Sequence, residues 1–143
     1  MERQTTPVSF GSVIATLRAQ GRDLVKTKNN LVTVEHSSAT FFWSTENPQV
    51  SQLRAQWRGA SATTEDFNAL REIVSHYNAT CAFPKTYMVP LGGNGRYTVA
   101  AECNLITCHD TTDLQIYGFL DRATTALGTF IAEVSGQMSH LEI

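Results

Sequence analysis

Residues 53–59, LRAQWRG, begin the stretch that decides the fold, which continues with FNAL at 67–70, FPKTY at 83–87, YTVAAE at 97–102 and TDLQ at 112–115. Around the first of these segments, over Val50–Arg58, apolar and polar side chains alternate strictly. Such alternation is typical of an antiparallel strand with one buried face. The whole stretch predicts a strand, a helix, two strands and a second helix, in that order.

The segment after the first strand carries the signals of a helix. Thr63 is a suitable N-cap, and Glu65 and Asp66 place negative charge in the first turn. We expect this helix to end near Asn78, before Pro84. Its apolar stripe consists of Phe67, Leu70, Ile73, Val74 and Tyr77.

Two further strands and the longest helix complete the stretch. Lys85–Val89 and Arg96–Thr107 predict a hairpin that turns at the glycine-rich segment 91–95. Thr112 and Gln115 have the spacing of a capping box, which predicts the start of the longest helix. The apolar positions of that helix keep a heptad spacing. They are Tyr117, Leu120, Thr124, Leu127, Ile131, Val134, Met138 and Leu141.

The segments before this stretch are less distinctive. Thr6-Pro7 predicts the start of a helix, and the polar segment 26–30 predicts a connection. Leu31–His36 and Ala39–Ser44 then predict two strands joined by a tight turn. The full order is α-β-β-β-α-β-β-α. It predicts an α+β fold with an antiparallel five-stranded sheet packed by helices.

The composition fits a single domain over residues 1–143, in which we expect Met1–Thr6 to be disordered. The formal net charge of −2 disfavours nucleic acid as a partner, because phosphate contacts need clustered lysine and arginine. No apolar run reaches the length of about 18 residues that a membrane span needs. The N-terminus also lacks the pattern of a signal peptide. We therefore expect a cytoplasmic protein that binds neither nucleic acid nor membrane.

The motifs of the stretch resemble those of the YbjN family, whose members are described as bacterial sensory transduction regulators. The resemblance implies a fold similar to that of type III secretion chaperones. It implies no catalytic residue, because the family has no agreed catalytic residues. The similarity runs over roughly residues 50–120, and its markers are Trp57, Asn78, Pro84, Lys85 and Glu102.

The remaining polar residues predict no catalytic or metal site. Cys103, Cys108 and His109 lack the paired spacing of structural zinc ligands. The glycine-rich segment 91–95 precedes a strand, whereas a phosphate cradle would precede a helix. We therefore expect no catalytic residue, no metal and no cofactor. Trp57 lies on the apolar face of its strand, where a core anchor is expected.

Two groups of residues are candidates for binding a partner. Arg54 and Arg58 share the polar face of their strand, where arginine could bind carboxylates. The last helix is longer than one sheet face needs. We therefore expect Ile131, Val134 and Met138 to overhang the sheet and to pack on a second copy or on another protein, unless a bend at Gly128 folds that end back onto the domain.

These features favour a non-enzymatic protein-binding module with a regulatory or chaperone-like role, expected to form a homodimer. A small-ligand sensor with a pocket between sheet and helices is an alternative. A small hot-dog-like enzyme is a weaker alternative. That fold wraps its sheet around a helix lying early in the chain, whereas this chain is predicted to end on its longest helix.

Overall fold

The computed structural model of the chain describes residues 26–28, 31–36, 38–44, 50–106 and 112–141. The predicted helix that starts at Thr6-Pro7 and the predicted disorder of Met1–Thr6 lie outside the described residues. The strands are β1 (Lys26–Lys28), β2 (Leu31–His36), β3 (Ala39–Ser44), β4 (Val50–Trp57), β5 (Lys85–Leu91) and β6 (Arg96–Ile106). The helices are α1 (Thr64–Thr80), α2 (Asp113–Gln137) and a 3-10 helix (Ser139–Leu141).

The strands form one antiparallel sheet in the order β1-β2-β3-β4-β6-β5. This confirms the α+β class and the antiparallel sheet. The predicted count of five strands is wrong, because Lys26–Lys28, predicted as a connection, pairs with Leu31–Thr33 as a sixth strand. Its polar sequence gives no local strand signal. Lysine is nevertheless common on sheet edges, where it discourages pairing with another chain.

The predicted alternation of β4 is confirmed. Leu53, Ala55 and Trp57 are buried in the core. The strand register places Trp43 of β3, Leu53 of β4 and Cys103 of β6 side by side. The inward-facing side chains of these three strands form one hydrophobic cluster with the buried side chains of both α-helices.

Both helices begin at the predicted caps. The Thr63 hydroxyl accepts a hydrogen bond from the Asp66 N–H at 3.1 Å, and the Asp66 carboxylate accepts one from the Thr63 N–H at 3.1 Å. Thr112 and Gln115 form the same reciprocal pair at 3.2 and 2.7 Å. These bonds satisfy N–H groups that have no partner within the helix.

The predicted hairpin is confirmed, and its strands join at a glycine-rich turn. Gly92 and Gly95 adopt φ angles of 66° and 72°. Side chains with a Cβ atom rarely adopt these angles, so glycine is needed at both positions. Among the described strands only β6 pairs with β5, so β5 is an edge strand of the sheet that they form.

The expected overhang of the last helix is wrong. Ile131, Val134 and Met138 are buried within the same chain, with at most 4% of their surface exposed, and are not available to a partner. These three side chains belong to one hydrophobic cluster that includes inward-facing side chains of the sheet and buried side chains of α1. The rings of Tyr77 in α1 and Phe130 in α2 meet edge to face, with centroids 5.0 Å apart. Within the described residues, no helix is long and apolar enough to cross a bilayer.

Candidate functional site

The face of the sheet that points away from α1 and α2 gathers side chains from four of the described strands. The register places Phe42 of β3, Arg54 of β4, Glu102 of β6 and Lys85 of β5 in one row. Directly paired side chains lie about 5 Å apart on the same face. We call these four residues the outer-face row. It brings together Arg54, Lys85 and Glu102, three of the residues singled out from the sequence.

Amide side chains hold the carboxylate of Glu102 in place. Gln52 Nε2 donates to Glu102 Oε2 and, at 3.2 Å, to Asn104 Oδ1. Asn104 Nδ2 in turn donates to Glu102 Oε2 at 3.4 Å. The same carboxylate oxygen thus accepts from two amides on neighbouring strands, and its orientation on the face is constrained.

Arg54 is held by an aromatic ring. Its guanidinium carbon lies 4.6 Å from the centroid of the Phe42 ring, within the range of a cation–π interaction. Tyr87 lies in the same area. Burial, and then the charge of Glu102, raise the pKa of the Tyr87 hydroxyl, while Arg54 acts in the opposite direction. The four groups therefore form one electrostatically connected cluster.

Burial raises the pKa values of two groups near the row, one on each face of the sheet. Because its pKa is raised, the Tyr87 hydroxyl stays protonated at neutral pH and serves as a hydrogen-bonding group, not as a base. On the core side of the sheet, burial raises the pKa of Cys103 to about 12, so its thiol is not an activated nucleophile. Among the described residues, no three His, Cys, Asp or Glu side chains converge to hold a metal ion.

Arg58 does not join the outer-face row. It follows the last residue of β4, its side chain is exposed, and Nη2 donates to the backbone carbonyl of Ala39 at 3.4 Å. Of the two arginines selected from the sequence, only Arg54 therefore lies in the cluster.

Three of the five family markers have structural roles. Trp57 is 1% exposed, and its Nε1 donates to Ser135 Oγ at 3.1 Å, which joins β4 to α2. The side-chain amide of Asn78 bonds to the backbone of Thr86, which joins the end of α1 to β5. Pro84 is buried and follows a cis peptide bond. Only Lys85 and Glu102 face outward in the row.

Sequence reasoning missed Phe42 and Tyr87 as members of the site. It placed Arg54 on the polar face of its strand and named Glu102 as a family marker, but could not show that the two residues are neighbours. Neighbours across strands are set by the pairing register, which a single strand does not encode. The available signal was an aromatic residue, Phe42, between two core-facing positions of its strand.

Comparison with known proteins identifies the family. Residues 31–135 match the model of the YbjN family, described as "Putative bacterial sensory transduction regulator". No protein with a curated description matches the sequence. The crystal structure of YbjN from E. coli, described as "a putative transcription regulator", is similar with a TM-score of 0.78 at 11% identity, over 97% of this chain and 98% of that one. This likeness is one of fold. Because the family model matches well over half of the residues of this chain, the chain belongs to the YbjN family.

Proposed function

We propose that the chain is a non-enzymatic regulatory module that binds a protein partner through the outer-face row and Tyr87. The observation that carries the proposal is the row itself, which places an arginine, a carboxylate and an aromatic ring on one sheet face. Arginine and tyrosine are enriched among the residues that dominate binding energy at interfaces. Arg54 and Glu102 are already held by neighbours, so binding would cost little ordering of side chains.

The family supports a regulatory role. Its description names sensory transduction, and the E. coli protein is described as "a putative transcription regulator". Regulators act by contacting other macromolecules. The net charge of −2 disfavours a nucleic acid, so we place the contact with a cytoplasmic protein. A chaperone-like role would use the same face to hold its client.

Self-association is a narrower form of this proposal. The α2 stripe that suggested a homodimer is internal, so a second copy would have to bind elsewhere. The outer-face row suits this role, because an arginine and a carboxylate on one copy can pair with their counterparts on a symmetry-related copy.

The test compares Arg54→Ala with Arg71→Ala by quantitative affinity capture from the native host. Arg71 is exposed on α1, on the helical side of the sheet, and serves as the matched control. We expect a protein captured by the wild type and by Arg71→Ala to be lost with Arg54→Ala, while circular dichroism shows both variants folded. Equal capture by both variants would contradict the proposal.

A further inference from the structure

A groove of about 480 Å³ lies between α1 and α2, on the helical side of the sheet. This volume lies within the range of small-molecule sites. The α1 side of the groove carries apolar and polar groups, and α2 contributes a carboxylate. The lining side chains that matter are Ala69, Glu72, Ile73, His76 and Tyr77 of α1 and Glu133 of α2.

Tyr77 supplies a hydroxyl that has no hydrogen-bond partner in the described part of the chain. Its side chain is 8% exposed and lines the groove, and its ring is fixed against Phe130. The hydroxyl makes no hydrogen bond to any described residue. Burial raises the pKa of this hydroxyl, and Cys81 and Glu133 add to the effect. The ring is buried but the hydroxyl oxygen remains accessible from the groove, so a ligand group in the groove can form a hydrogen bond with it.

The charge of the groove is negative. Within the described residues, neither Glu72 nor Glu133 takes part in an ion pair. Glu133 accepts only a long hydrogen bond, 3.4 Å, from Gln137. Among the described residues that line the groove there is no lysine or arginine, and His76 is the one basic side chain. Two carboxylates, one from each helix, therefore line the groove together with the apolar side chains of Ala69 and Ile73.

We propose that this groove binds a small organic cation, an alkylamine or alkyldiamine. Its ammonium groups would pair with Glu72 and Glu133 and donate to the Tyr77 hydroxyl, while its carbon chain lies on Ala69 and Ile73. An organic cation fits better than a metal ion, because no three metal-ligating side chains converge among the described residues. The site gives the module a ligand-sensing surface separate from the outer-face row.

The test is an NMR titration of the full chain with butane-1,4-diamine, with butane-1,4-diol as the neutral control. We expect saturable shifts at Glu72, Tyr77 and Glu133 with the diamine and none with the diol. Glu133→Gln should weaken binding about tenfold, because it removes a charge-assisted interaction. Glu65→Gln, at the exposed first turn of α1 and outside the groove, should leave the affinity unchanged.

Tyr77→Phe keeps the ring and removes only the hydroxyl, so it should weaken binding severalfold while the fold is retained. Shifts that do not saturate, that appear equally with the diol, or that persist unchanged in Glu133→Gln would overturn the proposal. Saturation by a lysine-rich peptide with no response to the diamine would also overturn it, in favour of a basic segment of a protein.

Discussion

The side-chain amide of Asn78 pairs with both backbone polar groups of Thr86. Asn78 Nδ2 donates to the Thr86 carbonyl at 2.8 Å, and the Thr86 N–H donates to Asn78 Oδ1 at 2.9 Å. Thr86 lies on β5, an edge strand, so Asn78 supplies the bonds that a further strand would make. Pro90, on the same side of β5, has no N–H to offer. Both features protect the edge from pairing with another chain.

Asn78→Ala should therefore lower the free energy of unfolding by about 1–3 kcal/mol, since it leaves the Thr86 groups without their partner. Denaturant unfolding measures the loss. Asn68→Ala is the matched control, because Asn68 is exposed on the same helix and should change stability by less than about 0.5 kcal/mol. Equal effects of the two substitutions would show that the Asn78 bonds contribute nothing.

The two tryptophans of the core provide a second comparison. Both are 1% exposed, but only Trp57 Nε1 has an acceptor, Ser135 Oγ, whereas Trp43 Nε1 finds none in the described part of the chain. Trp57→Phe should therefore cost about 1 kcal/mol more than Trp43→Phe. A double-mutant cycle with Ser135→Ala should show coupling to Trp57 and none to Trp43. A cycle with no coupling at Trp57 would refute the assigned bond.

The loss of folding stability at acid pH should depend on Asp66. Its carboxylate lies 2.8 Å from His140 Nε2, and this contact, followed by the bond from the Ala62 N–H, lowers the pKa of Asp66 below its ordinary value of 3.8. A carboxylate whose pKa is lowered in the folded state stabilises the fold at pH values above its unfolded-state pKa. That contribution is lost as the pH falls below the unfolded-state pKa and through the folded-state pKa. Urea unfolding between about pH 6 and about pH 3 should show a steeper loss in the wild type than in Asp66→Asn.

His140→Ala should give an intermediate pH dependence, because it removes the largest cause of the lowered Asp66 pKa and leaves the backbone bonds. The same acid dependence in the wild type and in Asp66→Asn would be inconsistent with a role of this carboxylate.

At high pH the stability of the fold should depend on the thiol of Cys103. Burial raises its pKa from 9.0 to about 12. A group whose pKa is raised in the folded state makes its full contribution to stability below its unfolded-state pKa. That contribution is lost as the pH rises toward the folded-state pKa. Between about pH 8 and about pH 10.5 the wild type should lose more stability than Cys103→Ala. Each protein is compared with itself, so the packing lost in the variant cancels. Parallel pH profiles would argue against the buried thiol as the cause.

Local signals in the sequence predicted the elements that depend on neighbouring residues. The Thr112 and Gln115 capping box and the alternation of β4 are of this kind, because caps and pleats are decided within a few residues. The pairing of Lys26–Lys28 and the contact of Phe42 with Arg54 depend on strand register. No local pattern encodes register, so these features were missed.

The burial of Ile131 was missed for a related reason. Its environment depends on how α2 packs in the core formed with the sheet and α1, and helical periodicity marks an apolar stripe without showing what covers it. The candidate site was therefore predicted only in part. Arg54, Lys85 and Glu102 were named individually, but their adjacency is a property of the sheet.

The most direct test of the outer-face row is photo-crosslinking in living cells. A photoreactive amino acid at position 85, exposed at the end of the row, is compared with one at position 71, exposed on α1. We predict a discrete adduct with a protein from position 85 that disappears when Arg54→Glu is added, and no such adduct from position 71. An adduct from position 85 that survives Arg54→Glu, or adducts from position 71 alone, would contradict partner binding through this face.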